Sequence, residues 1–225
     1  MSRRPHVRVK ICCIASIEEA NLAIAYGASA IGLVSSMPSG PGPIPEDLIA
    51  TIVATIPPGI ATFLLTCQRD AAGIIAQHRR TKTNTIQIVD EFPLAEYDVL
   101  KKALPGIKLV QAIHVRNDES VQQAFNVSEE VDALLLDSGN PKLAIKELGG
   151  TGRVHDWSVS RRIREMVNIP VYLAGGLTPE NVANAIDTVG PFAVDVCSGV
   201  RTNGRLDENK LSGFFHATES TGKRG

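Results

Sequence analysis

The chain has 225 residues, a formal net charge of -1 and 44% hydrophobic residues. That length suits one large domain or two small ones, with ample material for a core. The near-neutral balance gives neither nucleic acid nor an anionic membrane an electrostatic handle, and no apolar run nears the roughly 20 residues that span a bilayer.

In chain order, short aliphatic runs alternate with amphipathic stretches. The runs at 9–14, 30–35, 60–66, 85–90, 108–115, 133–137, 170–174 and 193–197 are rich in β-branched residues and short enough for strands. The first helix opens at Ser16, an N-cap with Glu19 three residues on as its capping-box partner, and ends at Gly27. Pro45 opens the second, with Leu48, Ile49, Ile52 and Val53 on one face. Further helices are expected at 69–78, 94–104, 118–126 and 159–167. Thr178-Pro179 opens another, along which Val182, Ala185, Ile186 and Val189 recur at helical spacing. The last is expected at 207–219. Eight strand–helix alternations favour a closed parallel barrel over an open sheet, so the fold class is α/β, a single (β/α)8 TIM barrel over residues 1–225. Residues 1–7 and 217–225 are expected to fray.

Segment 1–9 is basic but lacks the apolar stretch of a secretory signal. The cysteines Cys12, Cys13, Cys67 and Cys197 follow no metal-ligand or disulfide-framework spacing, and a bridge between the neighbours Cys12 and Cys13 would be strained. Reduced thiols in a cytoplasmic protein are the expectation. The five histidines form no metal constellation.

Barrel chemistry sits at the C-terminal strand ends and in the loops that follow. Strand one ends Lys10-Ile11-Cys12-Cys13. Alternation puts Lys10 and Cys12 on one side and Ile11 and Cys13 on the other. A thiol there can serve as a base; an inert buried cysteine is the alternative. Asp137 closes strand six, where it is either an acid raised by desolvation or a cap of the next turn. Glycine clusters follow: Gly149-Gly150-Thr151-Gly152, then Gly175-Gly176, then Ser198-Gly199. Gly150, Gly152, Gly175, Gly176, Ser198 and Gly199 are therefore the candidate phosphate cradle, since glycine lets backbone N–H groups approach an anion. Asp195 shares parity with Cys197 and points inward, so Lys10 on the neighbouring strand is its natural partner in a structural pair. His114 is read as a satisfied strand-end histidine.

Together these residues resemble phosphoribosylanthranilate isomerase, from Val9 to about Phe215. The resemblance is carried by Lys10-Ile11-Cys12, Leu134-Leu135-Leu136-Asp137-Ser138, Gly149-Gly150-Thr151-Gly152 with Asp156-Trp157, the run from Leu173 to Val182, and the run from Val194 to Val200. It implies an Amadori rearrangement in tryptophan biosynthesis, with Cys12 as general base and Asp137 as general acid; Lys10, Asp195 and Gln87 are expected as supporting residues. It implies no metal or organic cofactor, because an iminium intermediate is the electron sink. Three segments depart from the family pattern. Cys13 stands where the family usually has Gly. Ser35-Ser36-Met37-Pro38 stands in place of Ser-Pro-Arg, whose arginine meets the anthranilate carboxylate. Gln87-Ile88-Val89-Asp90 stands in place of Gln-Leu-His-Gly. Arg153, Arg201 and Arg205 are candidate replacements for that arginine.

The expected partner is a phosphorylated sugar substrate, with neither nucleic acid nor membrane, and the expected assembly a monomer or homodimer. Two other readings stand beside the isomerase. One is a paralogue performing the same aldose-to-ketose chemistry on another phosphorylated sugar or glycosylamine. The other is a non-catalytic phosphosugar-binding protein, against which the retention of both Cys12 and Asp137 argues.

Overall fold

The computed structural model describes residues 7–139, 152 and 154–220. Eight strands form its centre: β1 (Arg8–Ile11), β2 (Ala30–Val34), β3 (Ala61–Thr66), β4 (Thr85–Ile88), β5 (Lys108–His114), β6 (Ala133–Asp137), β7 (Val171–Leu173) and β8 (Ala193–Val196). All pair in parallel in chain order, and β8 returns to β1, closing the barrel. The closing register sets Lys10 opposite Asp195 and Ile11 opposite Val196.

The helices are α1 (Ile17–Ala25), α2 (Glu46–Thr55), α3 (Ala71–Thr81), α4 (Leu94–Ala103), α5 (Asp118–Ser128), α6 (Trp157–Met166), α7 (Val182–Val189) and α8 (Glu208–Ser220). Short polar side chains start several of them by accepting an orphan N–H. Asp70 accepts from Gly73 N–H at 2.8 Å and Asp156 from Ser158 N–H at 2.8 Å. Ser16 accepts from Glu19 N–H at 3.2 Å, but the Glu19 carboxylate takes the Ala15 N–H instead of closing the expected box on Ser16. Helix α7 starts at Val182, after a hydrogen-bonded turn through Thr178 and Asn181. Helix α8 carries the chain to Ser220; residues 221–225, like 1–6, lie outside the described residues. None of the described helices is long and apolar enough to cross a membrane.

Strand alternation builds two buried layers. One parity, including Ile11, Ile31, Leu33, Leu64, Ile86 and Leu134, packs outward against the helices. The other, including Val34, Phe63, Leu65, Val110, Ala112 and Leu135, fills the barrel. Each fully buried aliphatic side chain stabilises the fold by roughly 1.5–3 kcal/mol.

Strands β1, β2, β4, β5, β7 and β8 end one to three residues before the expected positions. At β1 the cause is Cys13, which takes a left-handed backbone with φ 61° and cannot continue a strand. A further pair, β9 (Arg201–Thr202) and β10 (Arg205–Leu206), forms a small antiparallel hairpin after β8. Its turn is Asn203-Gly204, with φ of 51° and 78°, the residue types that a tight hairpin turn demands.

Candidate active site

A cleft opens at the C-terminal end of the barrel. It is lined by Cys12, Cys13, Gln87, Asp137, Asp195 and Cys197, by the glycine loops, and by Val34, Met37, Ser39, Gly40, Pro41, Leu65 and Val89.

Cys12 sits one residue beyond β1, where its N–H donates to the Val196 carbonyl at 2.8 Å and fixes it on β8. Its side chain is 5% exposed. Below it, Lys10 is fully buried, and its ammonium donates to Asp195 Oδ1 at 2.9 Å. Burial disfavours the Lys10 charge, but Asp195, aided by Cys12, outweighs that and holds the lysine above its ordinary value. Burial raises the Asp195 carboxyl, opposed by Lys10. In so tight a pair the direction that stands is a charged Lys10, because an ammonium hydrogen-bonded to a carboxylate has what a buried charge requires.

Gly32 of β2 makes room for this arrangement. A Cβ there would lie 2.8 Å from Cys12 Sγ and 3.0 Å from Lys10 Nζ. Both groups therefore converge on one point, with a positive charge beside the thiol. Strand periodicity did not single out Gly32; an isolated glycine inside a strand was the available signal.

The expected alternation fails at Cys13. Its left-handed backbone turns its side chain back into the mouth, where it packs with Cys12 and the barrel interior, with its Sγ 2.8 Å from Cys197 Sγ.

Asp137 ends β6 and is 9% exposed. Its Oδ1 accepts from Ser138 N–H at 2.7 Å, so it does cap the next turn while also facing the cleft. His155 packs behind Gly175, shares a hydrogen bond with Ser160 Oγ at 2.6 Å, and is held below its ordinary value by burial, against the pull of Asp137 and Asp156. Gln87, on β4, is 3% exposed, and its Oε1 accepts no hydrogen bond from the described residues.

Gly152, Gly175, Gly176 and Ser198 line the side of the cleft formed by the loops after β6, β7 and β8. Gly152, Gly175 and Gly176 have φ of 68°, 83° and 63°. Gly199 does not line the cleft. It is where two loops touch: a Cβ on it would fall 1.9 Å from the Leu177 carbonyl oxygen. Gly150 lies outside the described residues.

No lysine or arginine lines the cleft among the described residues. Arg201 is not free for a substrate carboxylate. It donates to the Cys13 carbonyl at 2.6 Å, the Cys12 carbonyl at 3.3 Å and Glu19 Oε1 at 2.8 Å. Its work is to strap the β1 loop, which sequence spacing did not reveal because Arg201 and Glu19 are far apart in the chain. Arg205 lies on the exposed hairpin, and Arg153 lies outside the described residues. His114 bonds the Val89 carbonyl through Nε2 at 2.9 Å, away from this cleft. No cluster of metal-ligating side chains exists among the described residues.

Residues 9–217 match the sequence family described as N-(5'phosphoribosyl)anthranilate (PRA) isomerase. The chain belongs to that family. It is 38% identical to N-(5'-phosphoribosyl)anthranilate isomerase 2 of Methanosarcina mazei, over 95% of this chain and 95% of that relative. The crystal structure of the Thermotoga maritima phosphoribosyl anthranilate isomerase matches at a TM-score of 0.82 and 31% identity, over 95% of this chain and 99% of the other. A family structure in complex with reduced 1-(o-carboxyphenylamino)-1-deoxyribulose 5-phosphate matches at a TM-score of 0.79 and 29% identity, over 95% of this chain and 99% of the other. The chain is thus a phosphoribosylanthranilate isomerase of tryptophan biosynthesis, an aldose–ketose isomerase on a (β/α)8 barrel.

Proposed function

We propose that this isomerase uses Cys12 as the general base and Asp137 as the general acid of an Amadori rearrangement, with the substrate phosphate held by Gly152, Gly175, Gly176 and Ser198. The observation that carries the reading is one cleft with a thiol on β1, a carboxylate on β6 and a glycine-rich wall between the two from β6 round to β8.

In this reading Asp137 gives a proton to the ribose ring oxygen, and the bond from that oxygen to C1 breaks. The nitrogen lone pair forms an iminium at C1. Cys12, as thiolate, removes the C2 proton; the electron pair moves toward nitrogen and leaves an enolamine, which tautomerises to the 2-keto product. Lys10 supplies the positive charge beside Cys12 that a thiolate needs, and Asp195 fixes Lys10. The open Oε1 of Gln87 suits a substrate hydroxyl or N–H. On the phosphate wall, glycine backbones let N–H groups reach the anion without a Cβ in the way. The aglycone falls on the opposite side, among Val34, Met37, Leu65 and Val89.

The test is an assay of the purified protein on phosphoribosylanthranilate, with complementation of a tryptophan auxotroph. Cys12→Ser and Asp137→Asn are each expected to lower kcat by about 10²–10⁴ while binding of a phosphorylated product analogue stays within a few-fold. Near-wild-type turnover in either variant removes that residue from its role.

A further inference from the structure

Two cysteines that the isomerase chemistry does not use meet at the mouth of the barrel. Cys13 Sγ lies 2.8 Å from Cys197 Sγ, and the pair bridges the chain just beyond β1 to the chain just beyond β8. Their side of the cleft is shared with Cys12 and Ser198.

The backbone at Cys13 is costly. A φ of 61° is left-handed, a conformation that strains any residue with a Cβ and that glycine adopts freely. A cysteine occupies a turn that glycine would fill without strain, and its thiol is directed at a second thiol. The β2–α2 loop presses on the same residue: a Cβ on Gly42 would sit 2.6 Å from Cys13 Cβ, and Cys13 Sγ lies 3.6 Å from the Pro41 carbonyl. Cys13 is buried beneath that loop, whereas Cys197 is partly exposed to the cleft. A small oxidant entering the cleft therefore meets Cys197 first, with Cys13 behind it as the resolving thiol.

We propose that Cys13 and Cys197 form a reversible redox couple that joins β1 to β8 as a disulfide and switches the isomerase off. The oxidant class is a peroxide. The Cys197 thiolate attacks one peroxide oxygen, the O–O bond breaks, and the departing hydroxide leaves as water after protonation. The Cys13 thiol then attacks the resulting sulfenic acid; its proton and the sulfenic hydroxyl leave as a second water. Two thiols and one hydrogen peroxide become one disulfide and two waters. A dithiol reverses the step by exchange.

The local charges suit these roles. The hydrogen bond between Cys197 and Cys13 holds the Cys197 thiol below its ordinary value, with Arg201 and Lys10 helping against burial and Asp195. Hydrogen bonding to Cys12 and Cys197, together with burial, pushes Cys13 up, so it keeps its proton until it resolves. Bond formation closes the 2.8 Å gap between the sulfurs to about 2.05 Å, pulling on the Cys12 peptide on one side and on Ser198 on the other. A misplacement of about 1 Å can cost on the order of a hundredfold in rate, so this smaller approach sets an expected loss of about tenfold.

The experiment uses the full chain treated with hydrogen peroxide, followed by non-reducing peptide mapping and activity measurement before and after dithiothreitol. The expected result is a Cys13–Cys197 crosslink, an activity loss of about tenfold or more, and recovery on reduction. Cys13→Gly and Cys197→Ser are each expected to abolish the crosslink and the recovery, with activity taken relative to each variant's own untreated rate. Cys67→Ala is expected to keep both. A crosslink that survives Cys13→Gly, a Cys12–Cys13 bridge, or a Cys13–Cys197 crosslink without loss of activity would each overturn the proposal. Mapping reads the crosslink by mass, so it stands or falls separately from the catalytic roles of Cys12 and Asp137.

Discussion

At the residue scale the central pair is Lys10 with Asp195, a charge couple inside a largely aliphatic barrel. Removing one partner of a buried pair leaves the other uncompensated, at a cost of about 3–5 kcal/mol. Lys10→Met is therefore expected to lower the melting temperature sharply. In Lys10→Met/Asp195→Leu both charges are gone, and much of that stability should return. Turnover should not return, because the ammonium beside Cys12 is absent. Thermal unfolding and kcat measured on both variants separate the two effects; recovery of kcat in the double variant would show that Lys10 serves the fold alone.

Two other residues, both largely or partly buried, contribute to the response to acid. Burial holds His155 below its ordinary value of 6.5, with Asp137 and Asp156 opposing, so the folded state keeps the ring neutral. The unfolded chain then binds more protons as the pH falls through 6.5, and the stability His155 contributes above that pH is lost. Glu19 has the same sign lower down. Burial opposes its charge, but Arg201 outweighs burial and holds the carboxyl below 4.5, so its contribution is present above 4.5 and fades as pH falls further. As the pH is lowered from 8, the melting temperature is expected to drop in two steps, the first below pH 6.5 and the second below pH 4.5. His155→Gln should remove the upper step only; superimposable curves for the two proteins would assign that step elsewhere.

At the scale of the element, β2 illustrates how a strand serves a neighbour's chemistry. Its Gly32 leaves the space that Cys12 Sγ and Lys10 Nζ occupy. Gly32→Ala puts a methyl 2.8 Å from the thiol and 3.0 Å from the ammonium, so one of them must shift. The expected outcome is a fall in kcat of about tenfold or more with the far-ultraviolet circular dichroism unchanged. Unaltered kcat would mean that Cys12 tolerates the shift. Such a position is hard to read from sequence, because its reason lies on another strand.

What periodicity could see was the alternation itself. The strand at 133–137 is found where expected, and the parity argument at β8 correctly aims Asp195 at Lys10. Cys13 escaped because a left-handed residue reverses the side that alternation predicts, and nothing in its neighbours announces that turn. Arg201 escaped for a different reason. Read as a candidate for the substrate carboxylate, it is held by Glu19 and the β1 carbonyls, contacts that form only after the barrel closes. The catalytic assignments of Cys12 and Asp137 came from resemblance; strand ends alone left each with a structural alternative.

At the scale of the whole molecule, the proposed phosphate wall belongs to the last three strands, whose loops are tied by close backbone approach. Gly199 is the tie, since a Cβ there would overlap the Leu177 carbonyl at 1.9 Å. An anion bound between these loops links β6, β7 and β8 in the native state and has no counterpart in the unfolded chain. Inorganic phosphate at ten times its dissociation constant should then add about 1.4 kcal/mol, from RT ln(1 + [L]/Kd). For a chain of this size that is roughly 3–6 °C in melting temperature. Gly199→Ala must separate the two loops, so it is expected to abolish the phosphate-dependent rise and to raise KM more than it lowers kcat. Sodium chloride at equal ionic strength controls for general screening. A rise that persists in Gly199→Ala, or one that chloride reproduces, would place the anion away from these loops and leave the glycines as turns alone.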